Sequence, residues 1–347
     1  PWIVGVGPTP LGPAPRIATA WGASDSWGMI RSRVSAFRMR YAVEPGLYAV
    51  GSPDRRSDVF VTANYKLSFD ILRRSLAGMH AWVLVLDTKS INVWCASGKG
   101  TFGTAELEKR ITENKLDALV DHRTIIVPQF GAVGVSAAAV MKQTGFRVRF
   151  GPVEARDIPA YVKAGYRKTP EMSTAKFSLI DRLILTPMEL NPAFKKYPWF
   201  AAAVLLLFGI RPEGILFQEA WSGGLPFLLL GLITIVTGAF LTPVFLPYLP
   251  FRSFAAKGWL TGLLILAPAM TALGPRVPQD PALRGIVWLL FPALSSYLAL
   301  QFTGSTTFTS MSGVKKELKI GLPVYIGVIG VSLVLLVIYK LRAWGVV

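Results

Sequence analysis

Cys95 is the only cysteine among 347 residues, and it lies in the stretch Asn92-Val-Trp-Cys-Ala-Ser-Gly-Lys99. A lone thiol forms no intramolecular disulfide, and one cysteine with two histidines, His80 and His122, cannot build a closed zinc site. Two kinds of chemistry remain: nucleophilic attack, or service as a single axial ligand to a metal ion that another chelator already holds. Most free cysteines are simply buried small hydrophobes, but the surroundings here argue for more. Gly98, Gly100 and Gly103 permit close backbone approach. Lys99, and a helix start capped by Asn92, would favour the thiolate.

The flanking elements place this loop. Ala81–Leu86 is a continuous apolar run ending at Asp87, the pattern of a strand buried on both faces. Thr104 followed by acidic residues marks the start of a helix over 104–115. Cys95 therefore falls at the carboxyl end of a central strand, the edge of an open α/β sheet where ligands bind. Further strands are expected at 59–62, 124–127 and 146–150, with helices at 68–77, 134–144 and 158–164. Strands alternating with helices predict parallel pairing and a Rossmann-like three-layer domain. No GxGxxG follows a strand, and Ser97-Gly-Lys-Gly-Thr101 lacks the first glycine of a phosphate loop. The DxHxxG pattern by which some cobalamin proteins supply an axial histidine is also absent. His80 and His122 have no Cys or carboxylate cluster at metal spacing and read as structural.

Composition divides the chain. Residues 1–197 hold 27 of the 37 Lys and Arg and 16 of the 20 Asp and Glu. The mean hydropathy of +0.45 is thus an average over a water-soluble part and a membrane part. Residues 1–40, rich in Pro, Gly, Ser and Ala, read as an irregular lead-in; 41–197 form the α/β domain, and 198–347 an all-α transmembrane domain. Five apolar runs, near 199–217, 225–249, 258–273, 284–302 and 320–341, approach the roughly 20 residues a span needs. No signal peptide is evident. Seven basic residues, from Lys195 to Lys319, against five favour the soluble domain facing the cytoplasm, anchored in the cytoplasmic membrane. One cysteine fits a reducing compartment. The formal charge of +17 suits an acidic protein partner or anionic lipid headgroups, whereas dispersed Lys and Arg without a binding motif argue against nucleic acid. The apolar runs carry almost no interior charge, which disfavours coupled transport. The hydroxyl-rich stretch 302–313 reads first as close helix packing, and second as a docking or substrate-path segment.

Residues 92–99 resemble the cap-helix signature N-(V/I)-W-C-A-(A/G)-G-K of the mercury-methylating corrinoid protein family, HgcA. The likeness extends to 61–70, 84–88, 100–104, 151–153, 183–190, 302–304 and 312–317, and so from about Arg40 to the end. It departs at Ser97, usually Ala or Gly, where a hydroxyl alters hydrogen bonding around the cap. The soluble part also resembles the corrinoid-binding domain of the corrinoid iron–sulfur protein, a relative without the cap cysteine or the five membrane helices. The resemblance implies a cobalamin-type corrinoid with Cys95 as lower axial ligand to its cobalt. A soft thiolate there pushes electron density toward a trans methyl group and favours carbanion-type transfer to mercury(II), forming methylmercury. Asn92, Val93, Trp94, Ala96, Ser97, Gly98 and Lys99 would fix the cap, and Thr62, Asn64 and Thr88 would contact the ring. Implied partners are a one-carbon methyl donor system and HgcB, a ferredoxin-like protein with two four-iron–four-sulfur clusters.

Two other classes of function are carried beside this corrinoid-dependent methyltransferase. One is a membrane-anchored methylcorrinoid carrier of one-carbon, acetyl-CoA-type metabolism. The other is a membrane-bound hydrolase with Cys95 as nucleophile, which needs a base that no sequence-adjacent histidine supplies.

Overall fold

A computed structural model describes residues 2–306, 308–309 and 311–346. The chain divides into two compact units, Pro1–Lys176 and Phe177–Val347.

The first unit is built on a seven-stranded mixed sheet in the order β1-β2-β3-β5-β4-β6-β7. In chain order its elements are β1 (Ile3–Gly7), β2 (Ala14–Ile17), α1 (Ala23–Val34), β3 (Gly46–Val50), β4 (Val59–Ala63), α2 (Lys66–Ser75), β5 (Ala81–Leu86), α3 (Val93–Lys99), α4 (Thr104–Glu113), α5 (Leu116–Leu119), β6 (Thr124–Val127), α6 (Ala137–Thr144), β7 (Arg147–Phe150), α7 (Ile158–Lys163) and α8 (Pro170–Ser173). β5, β4, β6 and β7 run parallel, as alternation of strands and helices predicts. β3 pairs antiparallel with β5, β2 parallel with β3, and β1 antiparallel with β2.

Alternation along the central strands divides the core into two faces. Trp82, Leu84 and Leu86 of β5 join Val59 and Val61 of β4 beneath α3, α4 and α6. Ala81, Val83 and Val85 join Phe60 on the other face, beneath α2 and α7. Both strands are buried throughout, which explains their unbroken apolar text.

The irregular lead-in expected over 1–40 is instead ordered structure. β1 and β2 extend the sheet, α1 follows, and Ala36–Arg40 forms a 3-10 turn. Proline and glycine punctuate the segment without preventing short strands, because Ala14 and Ile17 are buried and Trp2 packs on Tyr48 and Phe69. An ionic cluster anchors it. Arg73 of α2 is 1% exposed and pairs with Asp25 of α1 and Asp70, while its guanidinium also donates to the carbonyls of Ala18 and Ala20. Lys66 completes the cluster against Asp70.

The second unit is helical: α9 (Leu179–Leu185), α10 (Pro187–Gly209), a hairpin of β8 (Ile210–Arg211) and β9 (Gly214–Ile215), α11 (Phe217–Val236), a π-helical turn leading to α12 (Thr242–Val244), α13 (Phe254–Leu273), α14 (Pro281–Gln301) and α15 (Met311–Ala343). The division falls at 176/177 rather than 197/198, because Phe177 and Leu185 pack with Leu246, Phe254, Leu300 and Phe302.

Among the described residues four helical stretches, not five, are long and apolar enough to cross a membrane: Phe217–Val244, Phe254–Arg276, Pro281–Gln301 and Ser312–Ala343. The run expected near 199–217 is the apolar half of α10, whose other half carries Glu189, Lys195 and Lys196, and it ends at the β8–β9 hairpin. Small and hydroxylated residues set the packing, as the Ser295 hydroxyl donates to the Gly258 carbonyl at 2.8 Å. Glu317 of α15 accepts from the Ser253 hydroxyl and from the N–H groups of Phe254 and Ala255, closing the start of α13. Within the hydroxyl-rich stretch 302–313, Phe302, Thr303 and Thr306 are buried in the bundle, which fits the packing expectation there. Thr307 and Ser310 lie outside the described residues.

Candidate functional site

The chain order of the parallel strands creates the site. β4 is followed by α2 and β5 on one side, then by β6 on its other side, so the strand order reverses at β4. In open α/β sheets the crevice beyond the carboxyl ends at such a switch point receives ligands. A cavity of about 260 Å³ opens there. Its walls are Phe60, Val61 and Thr62 of β4, Ile126 and Val127 of β6 with Pro128, Gly151–Val153 after β7, and Ser68, Ile71 and Leu72 of α2. Asn92, Val93 and Trp94 contribute a wall from α3, joined by Phe130, whose ring meets the Trp94 indole edge-on at 5.2 Å.

The sequence folds into α3 through its caps. The Asn92 side chain accepts from the Cys95 N–H at 2.9 Å, and Gly100 ends the helix with φ +82. Cys95 thus occupies the first turn. Val93 and Ala96 point into the core, and Ser97 is buried with its hydroxyl donating to the Val93 carbonyl at 2.8 Å. The extra hydroxyl relative to the cap signature is therefore satisfied inside the helix rather than left to disturb the cap. Gly98 and Lys99 are exposed. The end of α3 and the loop that follows it meet the turn after β6 so closely that a Cβ at Gly134 would fall 2.2 Å from the Phe102 carbonyl oxygen and 3.2 Å from the Ser97 backbone.

Asn64 and Thr88, expected to contact the ring, are hydrogen-bonded to each other. The Asn64 side-chain oxygen accepts from the Thr88 hydroxyl at 2.9 Å and from the N–H groups of Thr88 and Ser90, each at 3.1 Å. Thr88 donates its hydroxyl also to the Ile91 carbonyl, at 2.6 Å. The pair clamps a turn in which Lys89 and Ser90 take φ of 58 and 60, a left-handed conformation costly for residues with a Cβ. Asn64 and Thr88 therefore position the approach to α3, and Thr62 alone of the three lines the cavity.

Cys95 is half-buried on the same turn as the cavity-lining Trp94. Burial pushes its thiol above the ordinary cysteine value, against the lowering by the positive charges of Arg38 and Lys99 and by a hydrogen bond with Asn92. Desolvation thus works against the expected thiolate more than the cations favour it, and a metal ion at the sulfur would displace the proton. Arg38 belongs to the 3-10 turn Ala36–Arg40, far from Cys95 in sequence.

Both histidines sit at the opposite edge of the sheet. His80 immediately precedes β5 and accepts from Ser52 N–H at 2.9 Å; His122 precedes β6, its Nε2 3.0 Å from the Ser57 carbonyl. Cys95 follows β5, a strand of six residues spanning about 20 Å. Neither histidine lies at the edge of the sheet that carries Cys95. Among the described residues no group of three or more His, Cys, Asp or Glu could hold a metal ion. A metal bound at Cys95 must bring its own equatorial ligands.

Residues 36–162 match the family model of the CO dehydrogenase/acetyl-CoA synthase delta subunit, CdhD. The acetyl-CoA decarbonylase/synthase complex subunit gamma of Methanopyrus kandleri is 31% identical over 123 residues, 35% of this chain and 26% of that protein. The equivalent subunit of Archaeoglobus fulgidus is 29% identical over 126 residues, 36% of this chain and 26% of its own. The corrinoid/iron–sulfur protein large subunit of Moorella thermoacetica is 30% identical over 124 residues, covering 35% and 27%. The chain spans about a quarter of the length of these relatives. The α/β unit therefore contains a domain similar to the large subunit of corrinoid/iron–sulfur proteins, and helices able to cross a membrane follow it.

Proposed function

We propose that the α/β unit binds a corrinoid at the switch-point cavity and that the chain catalyses methyl transfer to mercury(II). The observation that carries the reading is α3 itself. Its Asn92 cap sets Cys95 in the first turn, beside a cavity in a domain similar to the corrinoid/iron–sulfur large subunit. The residues suit the group. The cavity wall is largely apolar, and the single soft donor matches a metal whose equatorial positions are already filled. When bound, a corrinoid supplies a cobalt ion able to carry and release a methyl group.

In this reading the Cys95 sulfur would hold the metal of a bound corrinoid, giving up its proton to do so. A thiolate donates more electron density than imidazole or water, which favours release of methyl to a soft electrophile such as mercury(II). Asn92 holds the helix start, Trp94 and Phe130 cover one side of the cavity, and Thr62 offers a hydroxyl at the end of β4. The chain cannot itself hold an iron–sulfur cluster with one cysteine, so reduction requires a partner of the HgcB kind. The second unit anchors the chain as a multi-pass protein of the cytoplasmic membrane, with the corrinoid-binding unit in the cytoplasm.

A second reading, a methylcorrinoid carrier serving a separate enzyme, is favoured by the relatives, which are subunits of acetyl-CoA-forming assemblies. Activity separates the two. Anoxic reconstitution of the full chain with a corrinoid should give a coloured protein with a cobalt–sulfur bond by X-ray absorption. Cys95→Ala should keep the fold, lose that bond and form no methylmercury, while Cys95→His should retain a fraction of the activity. A Cys95→Ala variant as active as the wild type would refute axial ligation, and an intact cobalt–sulfur bond without any mercury methylation would favour the carrier.

A further inference from the structure

We propose that the outer face of α1 lies on an anionic bilayer surface. The helix is turned inside out relative to a soluble amphipathic helix. The residues it buries are Asp25, Gly28 and Ser32, while Trp27, Ile30 and Val34, spaced three and four apart, are 61%, 47% and 37% exposed. Its rotation is fixed from the inside. Asp25 pairs with Arg73 at 2.7 Å, and a Cβ at Gly28 would fall 2.1 Å from the Tyr41 hydroxyl. No other face of α1 can turn inward, so the apolar stripe is held outward.

What surrounds the stripe selects its occupant. Met39, 61% exposed, continues the apolar surface on the following 3-10 turn. The basic residues of 23–40 are Arg31, Arg33, Arg38 and Arg40, with Arg31 and Arg40 exposed. The one acidic residue of the segment, Asp25, faces inward on Arg73. Tryptophan with aliphatic residues, flanked by arginine and free of exposed acid, suits the headgroup layer, where the ring and aliphatic side chains reach the acyl boundary and guanidinium groups meet phosphate. The same chain carries four helices able to cross a membrane, so a bilayer is held near at no cost in association entropy. This inference is independent of corrinoid binding, and its test uses none.

The test uses the full chain in lipid nanodiscs. In a Cys95→Ser background, Trp27→Cys or Ile30→Cys carries a single bimane label, with Asp117→Cys on the exposed side of α5 as control. Lipids spin-labelled near the headgroup should quench positions 27 and 30 in phosphatidylglycerol discs and leave 117 bright. Arg31→Gln and Arg40→Gln should each weaken the docked state about fivefold. Hydrogen exchange on the unsubstituted chain is the second measurement: amides of 23–40 should slow in phosphatidylglycerol relative to phosphatidylcholine. Equal quenching at 27, 30 and 117, or exchange indifferent to lipid charge, would overturn the proposal. So would protection of this face only on adding a protein partner, which would make α1 a protein-docking helix.

Discussion

At the scale of single residues, the environment of Cys95 combines opposing influences whose balance is measurable. Burial raises the thiol, and Arg38, Lys99 and Asn92 pull it down. Alkylation by iodoacetamide in the corrinoid-free protein should therefore titrate above an ordinary thiol, and Arg38→Ala should move the profile higher still. The same shift has a sign for stability. A thiol that holds its proton more firmly folded than unfolded contributes stability that is complete below the unfolded value and disappears as pH rises through the folded one. The wild type should lose stability relative to Cys95→Ser as pH rises past the ordinary thiol value of about 8.5, read from urea midpoints. A difference that is flat over that rise would mean the sulfur is more open to water than its surroundings imply. Cys95 was legible in the sequence because it is unique and flanked by glycines. Its protonation state was not, since desolvation depends on chain segments far away in sequence.

At the scale of elements, α3 is a short helix whose placement depends on the turn before it. The clamp from Asn64 to Thr88 and Ser90 holds Lys89 and Ser90 in left-handed backbone. Asn64→Ala removes three hydrogen bonds to a buried oxygen and should cost about 2–3 kcal/mol by denaturant unfolding. It should also lower corrinoid retention, while Asn64→Asp restores part of both. Asn92→Ala removes only the helix cap and should cost about 1 kcal/mol. If Asn64→Ala and Asn92→Ala behave alike, the strained turn is not what aims the helix. The central elements were readable because β4, β5 and β6 are continuous apolar runs that only a doubly covered sheet can bury. β1, β2 and β3 were not. Val4 and Val6 of β1 face outward, and β2 is four residues with only Ala14 and Ile17 buried, too little pattern to separate from a loop. The hydrogen bonds between Asn64 and Thr88 were not legible, because they join chain positions 24 residues apart.

At the scale of the whole molecule, the two units differ in what holds them. The first is a sheet domain with two apolar faces; the second is a bundle packed through Phe208, Phe227, Leu230 and Phe291, with Ser, Thr and Gly at close crossings. If the apolar helices span a bilayer, the protein should stay with membranes through alkaline carbonate and high salt and leave only in detergent; release by carbonate would remove the second unit from the membrane. The match to the CdhD model begins at residue 36, yet Arg73 within the matched part depends on Asp25 and on the carbonyls of Ala18 and Ala20 before it. Deleting residues 1–35 would strand a guanidinium in the interior with half its neutralising partners gone, a penalty of about 3–5 kcal/mol by the measure of broken interior ion pairs. A polypeptide trimmed to the matched segment, residues 36–162, should therefore be insoluble when expressed alone, and Arg73→Met should rescue it. The segment ahead of residue 36 is thus part of what holds the matched domain together.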